Sequence, residues 1–358
     1  MKKVKKIAFP SILLILVVVW KLGPHPVTPD YHTNVPAPPS SPDEADSLLK
    51  AHEACFDIKP ENEARIIWAN DSIKAATEYV IVYLHGFGAC QEEGNPVHVR
   101  AARKFGCNLL LTRLSDHGLN NSVNLQHFTV QRLWNSALES LSLARALGQK
   151  IILMGTSTGG TLALKMASLF DDVEAVILMS PNVKIRSGMA WMINNRWGLQ
   201  IARTLRGTDK MVSDNKEEWY ARYWYPEYGL EAVAQLQELT ETSMTPKVFS
   251  KIDQPLLLLY YYKDEEHQDP VVSVDAMLKM YDELGTPDSL KRKVAFPNAN
   301  NHVIGCELRS GDLEGVMNAV DSFLGQVVFN HYSFRKSSRK EKHYSVSKYM
   351  GSSTIPNL

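Results

Sequence analysis

Ser157 stands at the centre of Gly155-Thr156-Ser157-Thr158-Gly159, after the apolar run Ile151-Ile152-Leu153-Met154 and before a stretch of good helix formers. This order reads as strand, sharp turn and helix, with the serine at the apex and flanking glycines that let strand and helix approach closely. A hydroxyl held this way can attack an electrophilic carbon. A chain of this length carries a chance GxSxG about one time in ten, so the weight falls on the partners. A serine hydroxyl needs a base to take its proton and a third group to orient that base. His302, in Asn300-Asn301-His302-Val303-Ile304, follows the last strand-like run and precedes the closing helical one. For the acid, the loop after the strand-like run 255–262 offers Asp264, Glu265, Glu266 and Asp269. Asp264 lies nearer the strand end, whereas Asp269 is followed by Pro270-Val271-Val272, a turn into a buried segment. The negative oxygen of a tetrahedral intermediate needs fixed donors. The N–H of Thr158 opens a helix whose dipole favours an anion, and Phe87 in His85-Gly86-Phe87-Gly88 supplies a second. His85 is expected to brace that loop.

These residues must be positioned by the elements around them. From residue 65 onward, apolar strand-like runs alternate with longer amphipathic stretches, which implies a mostly parallel sheet covered by helices on both faces. Strands are expected at 65–68, 79–84, 108–111, 151–154, 175–179, 255–261 and 291–296, and helices at 96–105, 130–147, 162–170 and 313–324. Gly148 closes the helix over 130–147 as its C-terminal cap. The segment 183–251 breaks the alternation. At roughly 70 residues it far exceeds the usual connection of about 4 to 6 and must carry structure of its own, expected as a helical cap over the carboxyl edge of the sheet. It is crowded with aromatics, of which Trp191, Trp197 and Trp224 are candidates for lining a substrate pocket.

The formal net charge is zero, which argues against a nucleic-acid surface. Cys55, Cys90, Cys107 and Cys306 lack CxxC or Cys/His spacing, so no metal site is expected; Cys90 with Cys107 is the first disulfide to check. Lys2, Lys3, Lys5 and Lys6 precede an uncharged run over 7–20, with no small-residue cleavage site after it. Residues 1–23 are therefore expected to form an uncleaved signal anchor that leaves the rest of the chain extracytoplasmic, periplasmic or extracellular; cleavage of the segment would make the protein secreted. Residues 24–50 are proline-rich and expected as an extended tether, residues 51–326 as the catalytic domain with its cap at 183–251, and residues 327–358 as a disordered basic tail.

Taken in order, HGFG at 85–88, RLSDHG at 113–118, GTSTGG at 155–160, DPVV at 269–272 and NHVIG at 301–305 resemble the α/β-hydrolase superfamily. They are most similar to its monoacylglycerol-lipase and serine-aminopeptidase-like carboxylesterase branch, and the resemblance covers about 65–325. It implies an α/β-hydrolase fold with Ser157 as nucleophile, His302 as base, Asp269 as acid, and Phe87 and Thr158 as oxyanion donors. It further implies cleavage of a carboxylic ester through an acyl-enzyme without cofactor, and the aromatic cap with the expected membrane anchor favours a lipid-like or aryl ester. A peptidase or thioesterase using the same residues, or a non-catalytic binding protein on this scaffold, are the other readings. The third loop reads DHG rather than the branch's usual RGHG, a departure that bears on substrate class.

Overall fold

β-branched and aromatic residues make up β2 (Thr77–Leu84), and its alternate side chains enter two separate cores. Val80, Val82 and Leu84 point into one, Tyr79, Ile81 and Tyr83 into the other. A strand buried on both faces requires a sheet covered on both sides. The structure, a computed structural model describing residues 13–120 and 124–329, has that architecture. Its main sheet comprises β1 (Arg65–Ile67), β2, β3 (Asn108–Leu111), β4 (Gly148–Thr156), β5 (Val173–Met179), β8 (Leu256–Tyr260) and β9 (Lys291–Ala295), in the spatial order β1-β3-β2-β4-β5-β8-β9. Only β1 runs antiparallel. The chain builds outward from β2 to β3 and then returns to place β4 on the other side of β2. That reversal opens a crevice at the carboxyl ends of β2 and β4, the usual place for a site in such sheets.

The helices are α1 (Pro42–Glu53), α2 (Val97–Phe105), α3 (Val130–Leu147), α4 (Thr158–Ala167), α5 (Gly198–Arg206), α6 (Glu218–Tyr223), α7 (Leu230–Ser243), α8 (Pro246–Phe249), α9 (Val274–Asp282) and α10 (Leu313–Phe323). α3, α4 and α9 bury Leu133, Leu162 and Met277 on one face, and α2 and α10 bury Ala101 and Val320 on the other. Several boundaries differ from expectation, most clearly at the starts of β4 and α4. β4 starts at Gly148, three residues early; Gly148 also closes α3 as its C-terminal cap, as expected, in an extended conformation (φ −162°) with its N–H donating to the Ala144 carbonyl, and a Cβ there would lie 2.7 Å from the Val80 nitrogen. α4 starts at Thr158, four residues early, because close packing overrides the poor helix propensity of Gly159 and Gly160. The cap over 183–251 is not wholly helical. β6 (Lys210–Val212) and β7 (Glu227–Gly229) form an antiparallel pair within it.

The proline-rich segment is extended but is not a free tether. The Asp30 N–H donates to Gln131 Oε1 (2.8 Å), Trp134 Nε1 to the His32 carbonyl (3.0 Å) and Ser142 Oγ to the Ala37 carbonyl (3.1 Å), so the segment lies along α3 as a strap. Extended backbone outside a sheet leaves its N–H and C=O groups without a ladder partner, and side chains on α3 supply one. α1 then begins at Pro42, inside the stretch expected to be tether, with Ser41 as its N-cap. Residues 13–21 are helical, but among the described residues no helix is long and apolar enough to cross a membrane. The expected anchor is therefore not seen as a span: the apolar run is shorter than the ~20 residues that cross a bilayer, and residues 1–12 lie outside the described residues. So does the expected tail from residue 330 onward; its first residues, 327–329, are ordered instead, as a helical turn that buries Val327 and Val328 in the α2–α10 core. The four cysteines are free thiols, and the Cys90–Cys107 disulfide is not formed. Cys107 is packed into the α2–α10 core, where burial pushes its thiol up to about 12.

α1 is locked to the domain by one buried ion pair. Glu53 accepts from Arg113 Nε and Nη2, both at 2.8 Å, and from the Ala64 N–H at 2.7 Å. The two charged side chains are 9% and 3% exposed. Removing one partner strands the other charge, so Glu53→Ala is expected to lower stability by about 3–5 kcal/mol. Urea titration checks this; a loss under about 1 kcal/mol, the range of solvent-screened pairs, would contradict it.

Candidate active site

Four loops at the carboxyl edge of the sheet carry the candidate residues, and two of them bring Asp269 and His302 into contact. At the end of β4, Ser157 holds φ 52° and ψ −116°, an energetically costly conformation for a residue with a Cβ. Packing enforces it. The Ser157 N–H donates to the Met179 carbonyl and the Asn182 N–H to the Ser157 carbonyl, both at 3.0 Å. A Cβ on Gly159 would sit 1.9 Å from the Leu84 carbonyl oxygen, and one on Gly155 would sit 2.4 Å from that of Gly159. The two glycines flanking Ser157 are thus required by contact distance. Ser157 is buried, 8% exposed.

His302 follows β9 and Asp269 follows β8. His302 Nδ1 and Asp269 Oδ2 are 2.7 Å apart, with Asp269 fully buried. The other carboxylate oxygen, Oδ1, accepts the N–H of Val271 (2.8 Å) and of Val272 (3.0 Å), which fixes the carboxylate plane. The acid loop is held in turn by the start of the cap. Arg186 Nη1 donates to the Asp269 carbonyl at 2.7 Å, and Ile185 pairs with Val272. Burial pushes the Asp269 carboxyl up, but the charge and hydrogen bond of His302 and the two N–H groups outweigh it and hold the group below its ordinary value. Burial likewise disfavours a charged His302, yet Asp269 and the more distant Glu93 raise its pKa on balance. With Nδ1 engaged, Nε2 is the nitrogen left to exchange a proton. Asp264, the other acid candidate, is exposed and accepts from the backbone and ring of His267, with Nδ1 at 2.8 Å. It is not joined to His302.

Thr158 is the first residue of α4 and is buried. Phe87 lies on the loop after β2, its ring edge-on to Phe128 (5.2 Å) and Tyr228 (5.1 Å). His85 braces this loop as expected: its Nε2 accepts the Leu114 N–H at 3.0 Å and its Nδ1 donates to the Gly86 carbonyl at 2.9 Å. Burial drives its pKa well below the ordinary value, which keeps it neutral. Of the three pocket tryptophans, Trp224 packs with Ala89 of the β2 loop and with Val303, next to His302. Trp191 is 57% exposed. Trp197 is turned to the N-terminal segment, its Nε1 donating to the Val19 carbonyl at 2.9 Å. Those two do not line the site. Tyr228, on Phe87, and Glu93, on Gly86, were not singled out by sequence. Only the aromatic crowding of the cap hinted at the first, and no local pattern marked the second. A separate cavity of about 580 Å³ under the proline-rich strap contains none of Ser157, Asp269 or His302; its Arg113 and Arg132 are paired with Glu53 and Asp116. Among the described residues no cluster of three or more His, Cys, Asp or Glu side chains could hold a metal.

No curated protein sequence matches the chain. Among solved structures, one from a study of the metagenome-derived lipolytic enzymes LipS and LipT superposes with a TM-score of 0.59 at 16% identity, covering 75% of this chain and 99% of that one. A soluble variant of monoglyceride lipase from Saccharomyces cerevisiae, in complex with a substrate analog, gives 0.54 at 14% identity over 74% and 92%. At such identities the likeness establishes the fold. The family model described as the alpha/beta hydrolase family matches residues 81–305, from the middle of β2 to just beyond His302. That match spans well over half of the chain and both loops of the Asp269–His302 pair, and the protein therefore belongs to the α/β-hydrolase family.

Proposed function

We propose that this protein is a serine hydrolase that cleaves carboxylic esters through an acyl-enzyme. The observation that carries the reading is the buried Asp269–His302 hydrogen bond at the same sheet edge as a serine strained on a glycine-flanked elbow. In this reading Ser157 Oγ attacks the ester carbonyl as His302 Nε2 takes its proton. Asp269 holds the imidazole in the tautomer with Nδ1 protonated and stabilises the imidazolium. The N–H groups of Thr158 and Phe87 receive the negative oxygen. His302 then returns the proton to the leaving alcohol, and a water activated by the same nitrogen releases the acid. The aromatic packing of Phe87 against Phe128 and Tyr228, with Trp224 beside Val303, supports an ester with an aryl or acyl chain.

The test is incubation with a fluorophosphonate probe followed by peptide mapping, with a series of p-nitrophenyl esters of increasing acyl length. Labelling at Ser157 and a clear dependence of kcat/KM on chain length are expected. Labelling elsewhere, or none, removes Ser157 from the role, and indifference to chain length removes the apolar pocket. Extracytoplasmic placement is a separate proposal, supported by the lysine-flanked apolar N-terminus; recovery of the expressed chain wholly in the cytosolic fraction would refute it.

A further inference from the structure

The cap leaves the body of the protein beside the acid loop, and its first residues hold that loop by main-chain pairing. Ile185 pairs antiparallel with Val272. The Arg186 N–H donates to the Val271 carbonyl at 2.9 Å, and the Ser273 N–H to the Lys184 carbonyl at 2.8 Å. The Val271 carbonyl shares its peptide plane with the Val272 N–H, which donates to Asp269 Oδ1 at 3.0 Å. A trans peptide is rigid, and its C=O and N–H point in opposite directions. One edge of this plane therefore rests on the cap, while the other supports the carboxylate that meets His302 at 2.7 Å.

The backbone of Asp269 is held from both sides. Its N–H donates to the Tyr261 carbonyl at 3.2 Å. On the other side Pro270 has no N–H, so the Asp269 carbonyl is the only hydrogen-bonding group on the peptide that joins them. Asp269 is fully buried, and that carbonyl must find its partner within the fold. Among the described residues its one donor is Arg186 Nη1, at 2.7 Å. Arg186 itself is exposed, so the guanidinium reaches inward from the surface to this single carbonyl. We propose that Arg186 is a positioning residue for Asp269: its side chain fixes the peptide after the acid, and its N–H fixes the peptide that supports the carboxylate. The alignment of Asp269 with His302 is then set by the seating of the first cap residues. A displacement of the cap that draws 184–186 away from 271–273 loosens the carboxylate without any change at Ser157. The proposal rests on the serine-hydrolase reading for its consequence in catalysis, and on these hydrogen bonds alone for the geometry.

The experiment uses the full chain as wild type, Arg186→Ala and Arg186→Lys, with two readouts: the low-field proton NMR signal of the His302 Nδ1–H, and kcat and KM for p-nitrophenyl butyrate. Because the side chain is exposed, Arg186→Ala should fold, which circular dichroism checks. In Arg186→Ala the signal is expected to move to higher field and to exchange faster with water, as the hydrogen bond to Asp269 lengthens. Its kcat should fall about tenfold, the size of one lost hydrogen bond to a charged group, with KM little changed because neither Arg186 nor Asp269 binds substrate. Arg186→Lys keeps a cationic donor and should recover most of both. A merely structural residue would lower Tm and leave the His302 signal in place. A signal and kcat that Arg186→Ala leaves at their wild-type values, or a loss that Arg186→Lys shares in full, would overturn the proposal. If wild type hydrolyses no ester and takes no fluorophosphonate, the serine-hydrolase reading fails by itself, and the NMR signal still decides the role of Arg186.

Discussion

Ser157→Ala is expected to reduce kcat for ester hydrolysis by a factor on the order of 10⁶ and to abolish fluorophosphonate labelling. The size follows from the chemistry: without Oγ no acyl-enzyme forms, and what remains is whatever the oxyanion donors and substrate binding provide to a direct attack by water. The same substitution should leave the fold almost untouched. Ser157 is held by its backbone, through Met179 and Asn182, and by the contacts of Gly155 and Gly159. Alanine meets the same backbone strain at φ 52° that serine already bears. Circular dichroism and Tm close to wild type, with hydrolysis gone, is the expected pair of results. A variant that still turned over the ester at more than a small fraction of the wild-type rate would show that the nucleophile lies elsewhere.

Asp269→Asn should cost about 10⁴ in kcat, and the structure gives the reason. Oδ1 of Asp269 accepts two backbone N–H groups, from Val271 and Val272. An asparagine must keep its carbonyl oxygen there, which turns its NH₂ toward His302 Nδ1. That nitrogen then has to accept instead of donate, the ring proton moves to Nε2, and the imidazole can no longer take the proton of Ser157. Substrate binding is not involved, so KM should change little. Asp264→Asn is the matched control. Asp264 is exposed and contacts only the His267 region, so its loss should leave kcat nearly unchanged. The reverse pattern, with Asp264→Asn inactive and Asp269→Asn active, would reassign the acid.

The cap reaches both loops of the Asp269–His302 pair: Arg186 donates to the Asp269 carbonyl, and Trp224 packs beside Val303. Substitutions in the cap that never reach substrate are thus positioned to alter the geometry of the pair.

Sequence by itself determined the features that depend on local backbone preference and periodicity. The β-branched runs specify the central strands, because alternate side chains must be buried on both faces. The GxSxG marks the elbow, because only glycines fit within 3 Å of neighbouring backbone. His302 stands out through its place after the last strand. Tertiary structure decided everything that turned on which distant groups meet. Asp264 and Asp269 carry the same chemistry five residues apart, and only the fold buries one against His302 while His267 takes the other. The prolines of 24–39 indicate extended backbone, but the α3 side chains that dock it lie about a hundred residues away. Trp191, Trp197 and Trp224 look equivalent along the chain, and packing sends one to solvent, one to the N-terminal segment and one to the site. Glu93 is the extreme case. A glutamate in a polar loop reads as solvated charge, and only the folded chain buries it and sets its carboxylate on the Gly86 N–H.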